Sequence, residues 1–384
     1  MMKSAGLSPQ PLHIADPLVA IKEPRKMNTQ IRILISIAFI TSLACSAFTQ
    51  DKQNFEYATP QSSGFSTVKL DSLSKFLTSA GSSSLILLVD GKIIFEWGKT
   101  DYKHTIHSIR KPLISALYGI YVERGIIDTT ATLQDLNIDD IIPSLSENEK
   151  SARIIDLLKS RSGVYHDAAA NSSGMVSNRP ERDEFIPNEN YFYNNWDFNV
   201  LGEILEQATG KSVFELFKTE IAYRIGMNDY LGEYSQIDGE DENASIPKVD
   251  GFYQYEKSKS NYPAYHFRLS ARDMAKFGQL YLNNGNWKGK QIIPKSWIEV
   301  STKAYSVTNP GYGIGYGMLW FVLMENEFRK SSSFYHTGTN VHMLGIYPSS
   351  KVVLVHRVDT EKKHTFNQND FYKMIEMVWD SKEE

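Results

Sequence analysis

The amino-acid sequence predicts an α+β fold in which helices flank an antiparallel sheet. Near the N-terminal end, a helical pattern over Ser66 to Ala80 precedes two short apolar runs joined by Asp90-Gly91, a hairpin signature. Near the C-terminal end, an apolar strand over Val352 to Val358 precedes an amphipathic helix from about Asn369 to Asp380. The segment between these ends carries mostly helical patterns and no internal repeat. We therefore expect one unit without a linker. It begins with a helix followed by antiparallel strands and ends with strands followed by a helix.

Each element has its own local signal. The first helix places four apolar residues at helical spacing, and Asp90-Gly91 favours a type I′ turn because both residues tolerate a positive φ. The central helices end at glycine or asparagine, which commonly terminate helices. The predicted elements that complete the series are strands over Leu85 to Val89, Lys92 to Trp97 and Val341 to Tyr347, a turn at Pro348-Ser-Ser350, and helices over Phe198 to Gln207 and Ala271 to Leu282.

Composition excludes several functional classes. The chain has 384 residues, a formal net charge of −4, 41% hydrophobic residues and one cysteine. These values are typical of a globular protein and exclude a disordered chain or a disulfide scaffold. Because no block of Lys and Arg occurs, we expect no nucleic-acid partner.

The N-terminal segment predicts export. Lys26 and Arg32 precede an apolar run over Ile33 to Ala44, which resembles a secretory signal and places the true start at Met27. Twelve helical residues rise only about 18 Å, too short for a permanent membrane span. Cys45 ends the run in a loose lipoprotein box, and Cys45-Ser-Ala47 also offers a cleavage site. We expect residues 1–47 to be an extension and signal, and the mature protein to be periplasmic or secreted, with a lipid anchor at Cys45 as the alternative.

Missing motifs narrow the chemistry further. The sequence contains no H-E-x-x-H, no C-x-x-C, no P-loop and no G-x-S-x-G nucleophile elbow. We therefore predict no metal and no cofactor. The irregular stretch from about Tyr165 to Asn195 is too long for a simple connection, so we expect it to line a site.

The candidate nucleophile is the serine of Ser108-Ile-Arg-Lys111. Ser-x-x-Lys occurs four times in the chain, also from Ser66, Ser72 and Ser245, but only Ser108 opens an apolar helix. A helix start presents unpaired N–H groups and a partial positive charge to an oxyanion. Lys111 lies one turn later on the same face, where apolar surroundings would favour its neutral amine and let it take the serine proton. The structural alternative is an N-cap serine followed by a lysine that extends to solvent.

Two later motifs support the catalytic interpretation. Tyr193-Asn-Asn195 ends the irregular stretch, and His336-Thr-Gly338 precedes the Val341 strand. In this order, the three motifs resemble those of the serine β-lactamase and penicillin-binding-protein superfamily, on the branch of class C β-lactamases, D-Ala-D-Ala peptidases and related esterases. The similarity covers roughly residues 60 to 360.

The resemblance implies a class C β-lactamase-like architecture. It divides residues 48–384 into an α/β lobe, about 60–111 and 305–384, and a helical lobe, about 112–304. The resemblance also implies that Ser108 is the acylated nucleophile, with Lys111 and Tyr193 as the proton-transfer pair. It places an ionised Tyr193 beside the Lys111 cation as the general base.

Substrate-binding roles also follow from the resemblance. Asn195 is expected to bond the substrate amide and hold Lys111, and the Ser108 and Thr339 N–H groups to form the oxyanion hole. His336, Thr337 and Gly338 are expected to bind substrate. His336 replaces the lysine usual in class C β-lactamases, so we expect small neutral esters to be better substrates than β-lactams near pH 7, with His336 becoming cationic below about 6.5.

The sequence therefore predicts an exported serine hydrolase that forms an acyl-enzyme on a small ester or amide. A D-Ala-D-Ala peptidase or β-lactamase is the enzymatic alternative. A non-hydrolytic module that recognises penicillin or binds cell-wall peptides is the alternative of another class.

Overall fold

A nine-stranded sheet runs through the protein and organises both of its hydrophobic cores. The computed structural model describes residues 54–141, 143–327 and 329–383. The predicted extension, signal, start at Met27 and anchor at Cys45 lie outside these residues. The strand order of the sheet is β1-β3-β2-β15-β14-β13-β12-β11-β10, and every neighbouring pair is antiparallel except β1 with β3. The strands are β1 (Glu56–Tyr57), β2 (Ser84–Val89), β3 (Lys92–Gly98), β4 (His104–Thr105), β5 (Tyr234–Asp238), β6 (Gly251–Tyr255), β7 (Ala264–Leu269), β8 (Asn286–Trp287), β9 (Lys290–Gln291), β10 (Ser306–Asn309), β11 (Ile314–Tyr316), β12 (Phe321–Leu323), β13 (Ser333–Gly338), β14 (His342–Tyr347) and β15 (Val352–Arg357).

Helices cover both faces of this sheet and build the segment between its two halves. Short 3-10 turns and one π-helical turn connect or extend them. The α-helices of the described residues are α1 (Thr67–Ala80), α2 (Arg110–Glu123), α3 (Glu147–Lys150), α4 (Ile154–Leu158), α5 (Ser173–Ser177), α6 (Asn195–Thr209), α7 (Val213–Phe217), α8 (Ala271–Leu282), α9 (Lys295–Ser301) and α10 (Gln368–Asp380).

The β2–β3 hairpin forms as its sequence predicts. Asp90 and Gly91 have φ values of 50° and 77°, the left-handed values that a type I′ turn requires at both central residues. Val89 pairs with Lys92 across the turn, and Leu85 pairs with Trp97 at the far end. The turn therefore fixes the register that directs successive side chains to opposite faces of the sheet.

Alternation along the central strands feeds two separate cores. Leu87 of β2 and Leu354 of β15 belong to the core beneath α1 and α10, whereas Leu88 and Val353 belong to the other core, which includes α8. Gly278 of α8 lies so close to the sheet that an added Cβ would stand 2.5 Å from Val353 Cγ1. The helix therefore lies directly on the sheet, although its residues fall within the range expected for the helical lobe.

Helix α2 is the central helix of the second core. Every residue from Arg110 to Tyr121 is buried, as expected for a helix packed on all sides. Helix α6 packs against it and begins after Asn194, whose side chain accepts a hydrogen bond from the Trp196 N–H, and ends at Gly210 with a φ of 68°.

A second sheet has the strand order β4-β7-β6-β5, and all of its strands except β4 lie in the part of the chain predicted to be mostly helical. The mixed α+β architecture, with a large sheet and flanking helices, confirms the predicted fold class. None of the helices in the described ranges is both long and apolar enough to cross a membrane.

Candidate active site

Ser108 lies in a short turn that joins the small sheet to helix α2. The residue before it, His107, has a φ of 50°, and a 3-10 turn over His107–Ile109 leads directly into α2. A left-handed φ at a non-glycine residue is uncommon and often marks a functional site. The Ile106 N–H donates to the Phe267 carbonyl at 3.0 Å, which fixes this turn to β7.

Lys111 lies directly behind the Ser108 hydroxyl. Its Nζ atom is 3.0 Å from Ser108 Oγ, and the side chain is buried. Nζ also lies 4.3 Å from the centroid of the Phe198 ring and 4.8 Å from that of Tyr193. Burial, together with the neighbouring Arg110 cation, lowers the pKa of Lys111 well below its ordinary value. Lys111 therefore has the desolvated surroundings expected from the sequence, which favour its free amine.

Tyr193 is located at the pocket but is not ionised as expected. Burial raises the pKa of Tyr193 above its ordinary value, while an interaction with the Ser108 hydroxyl and the charge of Arg110 oppose this rise only in part. The expectation of a phenolate stabilised by Lys111 is therefore wrong for this structure. Burial and the charge of Arg110 lower the pKa of Lys111, which weakens its ability to stabilise a phenolate.

Asn195 is the first residue of helix α6 and faces the pocket. Its Nδ2 donates to the Ala170 carbonyl at 2.6 Å, and its buried Oδ1 has no partner in the described structure. Among the described contacts, none is a hydrogen bond from Asn195 to Lys111. The side chain is instead fixed to the irregular stretch, with one acceptor left unused.

His336 lies behind the pocket wall. Its side chain is fully buried, its ring centroid is 5.2 Å from that of Phe321, and Nδ1 lies 2.8 Å from the Thr337 carbonyl oxygen. Burial and the nearby Lys111 lower the pKa of His336 to about 3. The expectation that it becomes cationic below about pH 6.5 is therefore wrong, and this geometry does not bring it to the substrate surface.

The next residues of β13 reach the pocket instead. Thr337 and Thr339 line it, because alternation along the strand sends Thr337 to the face opposite His336. Thr339 and Asn340 have φ values of 47° and 59°, and the Val341 N–H donates to the Gly338 carbonyl at 3.1 Å. These features define a tight type I′ turn with a β-branched residue in a strained conformation.

Gly338 brings this turn against the nucleophile segment. A Cβ on Gly338 would stand 2.5 Å from the Ile106 carbonyl oxygen and 3.2 Å from His107 Cβ. Only glycine permits such an approach without a backbone shift. The close contact therefore joins the turn that carries Thr339 to the segment that leads into Ser108.

A single pocket of about 580 Å³ collects most of the predicted residues. Ser108, Tyr193, Asn195, Thr337 and Thr339 line it. The irregular stretch contributes Ala170 and Met175 among other residues, consistent with the expectation that it lines a site. Lys111, His336 and Gly338 stand behind this lining and contact it from within the core.

Two basic side chains are among the pocket residues that the sequence interpretation missed. Arg110 lies between Ile109 and Lys111 within the predicted motif, and His266 comes from β7. Their side chains are buried at the pocket, with Arg110 Nη1 3.3 Å from His266 Nδ1. No signal in the sequence joins them, because only the packing of α2 against β7 brings them together.

A buried ion-pair network supports the segment that precedes Ser108. Glu361 accepts hydrogen bonds from the Thr105 N–H at 2.9 Å and from Arg268 at 2.7 and 3.0 Å. Burial by itself raises the pKa of Glu361, but the hydrogen bonds from Arg268 and Lys248 outweigh it and hold the pKa at about 2. Within the described ranges, no cluster of three His, Cys, Asp or Glu side chains is placed to hold a metal.

A serine, a buried lysine and a tyrosine around one pocket, on this α+β fold, are characteristic of a class of serine hydrolases. The β-lactamase family model matches residues 74–376, and the chain belongs to this family. The chain is 24% identical over 309 residues to an uncharacterised protein of Alkalihalophilus pseudofirmus, an alignment that covers 73% of this chain and 84% of the relative.

Solved structures show the same fold. One is a Bacillus anthracis protein with the provisional assignment of 6-aminohexanoate-dimer hydrolase, with a TM-score of 0.61, 21% identity and coverage of 86% of this chain and 88% of that one. Another is EstCE1, a hydrolase with promiscuous acyltransferase activity, with a TM-score of 0.59, 15% identity and coverage of 83% and 99%.

Proposed function

We propose that the protein is a serine hydrolase that cleaves a small ester or amide through an acyl-enzyme on Ser108. The observation that carries this proposal is the 3.0 Å separation between Lys111 Nζ and Ser108 Oγ in desolvated surroundings. A neutral amine has a lone pair that can accept the serine proton, whereas an ammonium group has none. The pair therefore has the geometry of a nucleophile with its base, and the lowered pKa of Lys111 favours the form that can accept the proton.

Acylation starts when Lys111 takes the hydroxyl proton and Ser108 Oγ attacks the substrate carbonyl carbon. The Ser108 and Thr339 N–H groups stabilise the resulting oxyanion. As the bond to the leaving group breaks, the neutral Tyr193 phenol donates its proton to the departing oxygen or nitrogen. The proton on Lys111 then returns to the tyrosine, so both groups regain their starting state.

Deacylation repeats the sequence with water. Lys111 accepts a proton from water as the water oxygen attacks the acyl carbon. Lys111 then returns this proton to Ser108 Oγ as the serine leaves. With its raised pKa the Tyr193 phenol keeps its proton, so in this mechanism it acts as a proton donor and not as the ionised base expected from the sequence. The free Oδ1 of Asn195 offers an acceptor to the N–H of an amide substrate.

Two structural neighbours have names that refer to hydrolysis or transfer of acyl groups, which supports an ester or amide substrate. One carries the provisional name of 6-aminohexanoate-dimer hydrolase and another is a hydrolase with acyltransferase activity. A D-Ala-D-Ala peptidase, a β-lactamase and a non-hydrolytic binding module are the alternatives, and turnover distinguishes the last of these from the enzymes.

Active-site labelling combined with a substrate panel tests the proposal. A fluorophosphonate probe should add one label per chain in wild type and none in Ser108→Ala. Ser72→Ala is the matched control, because Ser72 also opens a Ser-x-x-Lys sequence. Its hydroxyl lies on the exposed face of helix α1 and donates to the Val68 carbonyl. The panel contains p-nitrophenyl esters, nitrocefin, a D-Ala-D-Ala peptide and short linear amides. Labelling that survives Ser108→Ala, or one acyl group per chain without turnover, would contradict the proposal.

We also propose, from the sequence of residues 26–47 alone, that the protein is exported. Fractionation of cells that express the full chain, followed by N-terminal mass analysis, tests this. Recovery in the cytoplasm with an intact N-terminus would contradict it. A fatty-acyl mass on Cys45 would distinguish an anchored lipoprotein from a cleaved secreted protein.

A further inference from the structure

Arg110 is a buried cation without a counter-charge. Its side chain is only 3% exposed. Its Nη1 lies 3.3 Å from His266 Nδ1 and its Nη2 lies 3.5 Å from Asn199 Oδ1, while its Nε has no partner. Within the described ranges, no carboxylate forms an ion pair with it. The Tyr265 ring lies 4.9 Å from the guanidinium carbon and the two hydrogen bonds add to this contact, but none of these neighbours carries a negative charge.

His266 presents a second unused donor beside Arg110. An arginine N–H can only donate, so His266 Nδ1 acts as the acceptor of this contact. Burial and the charge of Arg110 lower the pKa of His266 well below its ordinary value, so its single proton lies on Nε2. This Nε2–H is buried and has no partner in the described structure.

The pocket carries positive charge without any negative charge. Arg110 and His266 both line it, and of the described residues in its lining none is acidic. Two residues with unused donors, one of them a permanent cation, therefore belong to a lining without acidic residues. A carboxylate has the charge and the acceptor oxygens that such a pair of donors requires.

The position of Tyr193 indicates which part of the substrate would meet Arg110. The Tyr193 ring stacks on Phe321 of β12, with centroids 6.0 Å apart, and lies 6.3 Å from the ring of His336 on β13. Tyr193 also packs edge-on against Phe198 of α6, with centroids 4.8 Å apart, so its ring stands between α6 and these strands. We place the leaving group on the strand side of Tyr193, and the acyl part then lies towards β7, where His266 holds Arg110.

We propose that Arg110 and His266 form an anion subsite for a carboxylate at the end of the acyl part of the substrate. The preferred substrates are then half-esters or half-amides of small dicarboxylic acids. This inference rests on the proposed acyl-enzyme function and extends it. Class C β-lactamases usually carry a lysine at the position of His336. In this protein the positive charge comes instead from Arg110, in a different wall of the pocket.

Two pairs of esters test the subsite. The first pair is the mono-p-nitrophenyl ester of adipic acid and its neutral analogue with a terminal carboxamide. The second pair places the charge in the leaving group, with hexanoate esters of p-hydroxybenzoate and p-hydroxybenzamide. In wild type, kcat/KM should favour the charged member of the first pair by roughly ten- to a hundredfold. The second pair should differ little.

Variants assign the preference to Arg110. In Arg110→Met the ratio of kcat/KM for the charged ester to kcat/KM for the neutral ester of the first pair should fall to near one. In Arg110→Lys part of this preference should remain. Arg124→Gln is the matched control, because this partly exposed arginine follows the same helix and pairs with Glu220. The ratio should be unchanged in that variant. A wild-type ratio near one, a preference that survives Arg110→Met, or a preference confined to the second pair would overturn the subsite.

A measurement on wild type avoids any dependence on the folding of the variants. Adipate should protect Ser108 from fluorophosphonate labelling at concentrations where adipamide does not, and equal protection by the two compounds would overturn the subsite. Absence of Ser108 labelling would overturn the proposed function itself. Labelling and ester turnover without a preference for the acyl carboxylate would overturn the subsite alone.

Discussion

Lys111 and Tyr193 share one buried compartment, with the Lys111 nitrogen 4.8 Å from the centroid of the tyrosine ring and Ser108 within reach of both. Burial moves their two pKa values in opposite directions, down for the lysine and up for the tyrosine. Both shifts favour the uncharged forms. The shifts therefore support a neutral base and a neutral acid as the pair for one round of proton transfer in the proposed mechanism.

Because the two groups serve one transfer, their losses should not add. We expect Lys111→Ala and Tyr193→Phe each to lower kcat by roughly 10²–10⁴, with the double variant little worse than the worse single variant. Steady-state kinetics on one ester with all four proteins gives the comparison. Fully additive losses in folded variants would mean that the residues act in separate steps.

The pH profile should report the protonation of Lys111. The amine form is the active one, so kcat/KM should fall as the pH drops through the lowered pKa of Lys111. Burial is the main cause of this shift and the charge of Arg110 the second, so Arg110→Met should move the acid limb to higher pH. His336→Gln should leave the limb in place, because the pKa of His336 is about 3. An acid limb that moves only in His336→Gln would contradict this assignment.

Glu361 should make stability depend on pH in the acid range. Its pKa is about 2 in the folded protein against an ordinary value of 4.5, so its contribution is complete above pH 4.5. This contribution is then lost as the pH falls towards 2. Glu361→Gln should lower the free energy of unfolding at pH 7 by about 3 kcal/mol. Urea unfolding of both proteins at pH 7 and pH 3 measures the difference, which should shrink at the lower pH. A difference that stays constant across this range would show that the carboxylate charge contributes nothing.

The width of the oxyanion hole should depend on Gly338. In Gly338→Ala the new methyl group would press on the Ile106 carbonyl oxygen, so the Ser108 and Thr339 amides should separate and kcat should fall by roughly 10²-fold. Gly311→Ala is the control, since its Cβ would meet only Asn309 Oδ1 at an ordinary 3.5 Å. Full activity in Gly338→Ala would show that the turn can move without cost to catalysis.

Local patterns predicted the elements better than they predicted the environment of the side chains. The Asp90-Gly91 turn and the helix over Ala271–Leu282 could be predicted because their signals lie within a few neighbouring residues. The packing of that helix on β15 could not, because a helical pattern shows which side is apolar and not what covers it. Gly278 marks this contact only once Val353 is known to face it.

The candidate site shows the same division. The motifs identified Ser108, Lys111 and Tyr193, and the structure brings them together. The ionisation expected for Tyr193 was wrong because desolvation depends on how completely the surrounding chain encloses the phenol. The pairing of Arg110 with His266 was missed because it depends on contact between segments that are distant in the sequence.

The contact of Gly338 with Ile106 has a consequence for how the chain matures. The two amides of the proposed oxyanion hole come from segments far apart in the sequence, and neither segment can form the hole by itself. In the proposed mechanism, hydrolysis therefore cannot begin on a nascent chain that lacks β13 and the turn after it. Esterase activity during synthesis or refolding would thus report that the C-terminal strands have joined the sheet. A chain in which these strands have not yet paired would remain inactive wherever in the cell it is made.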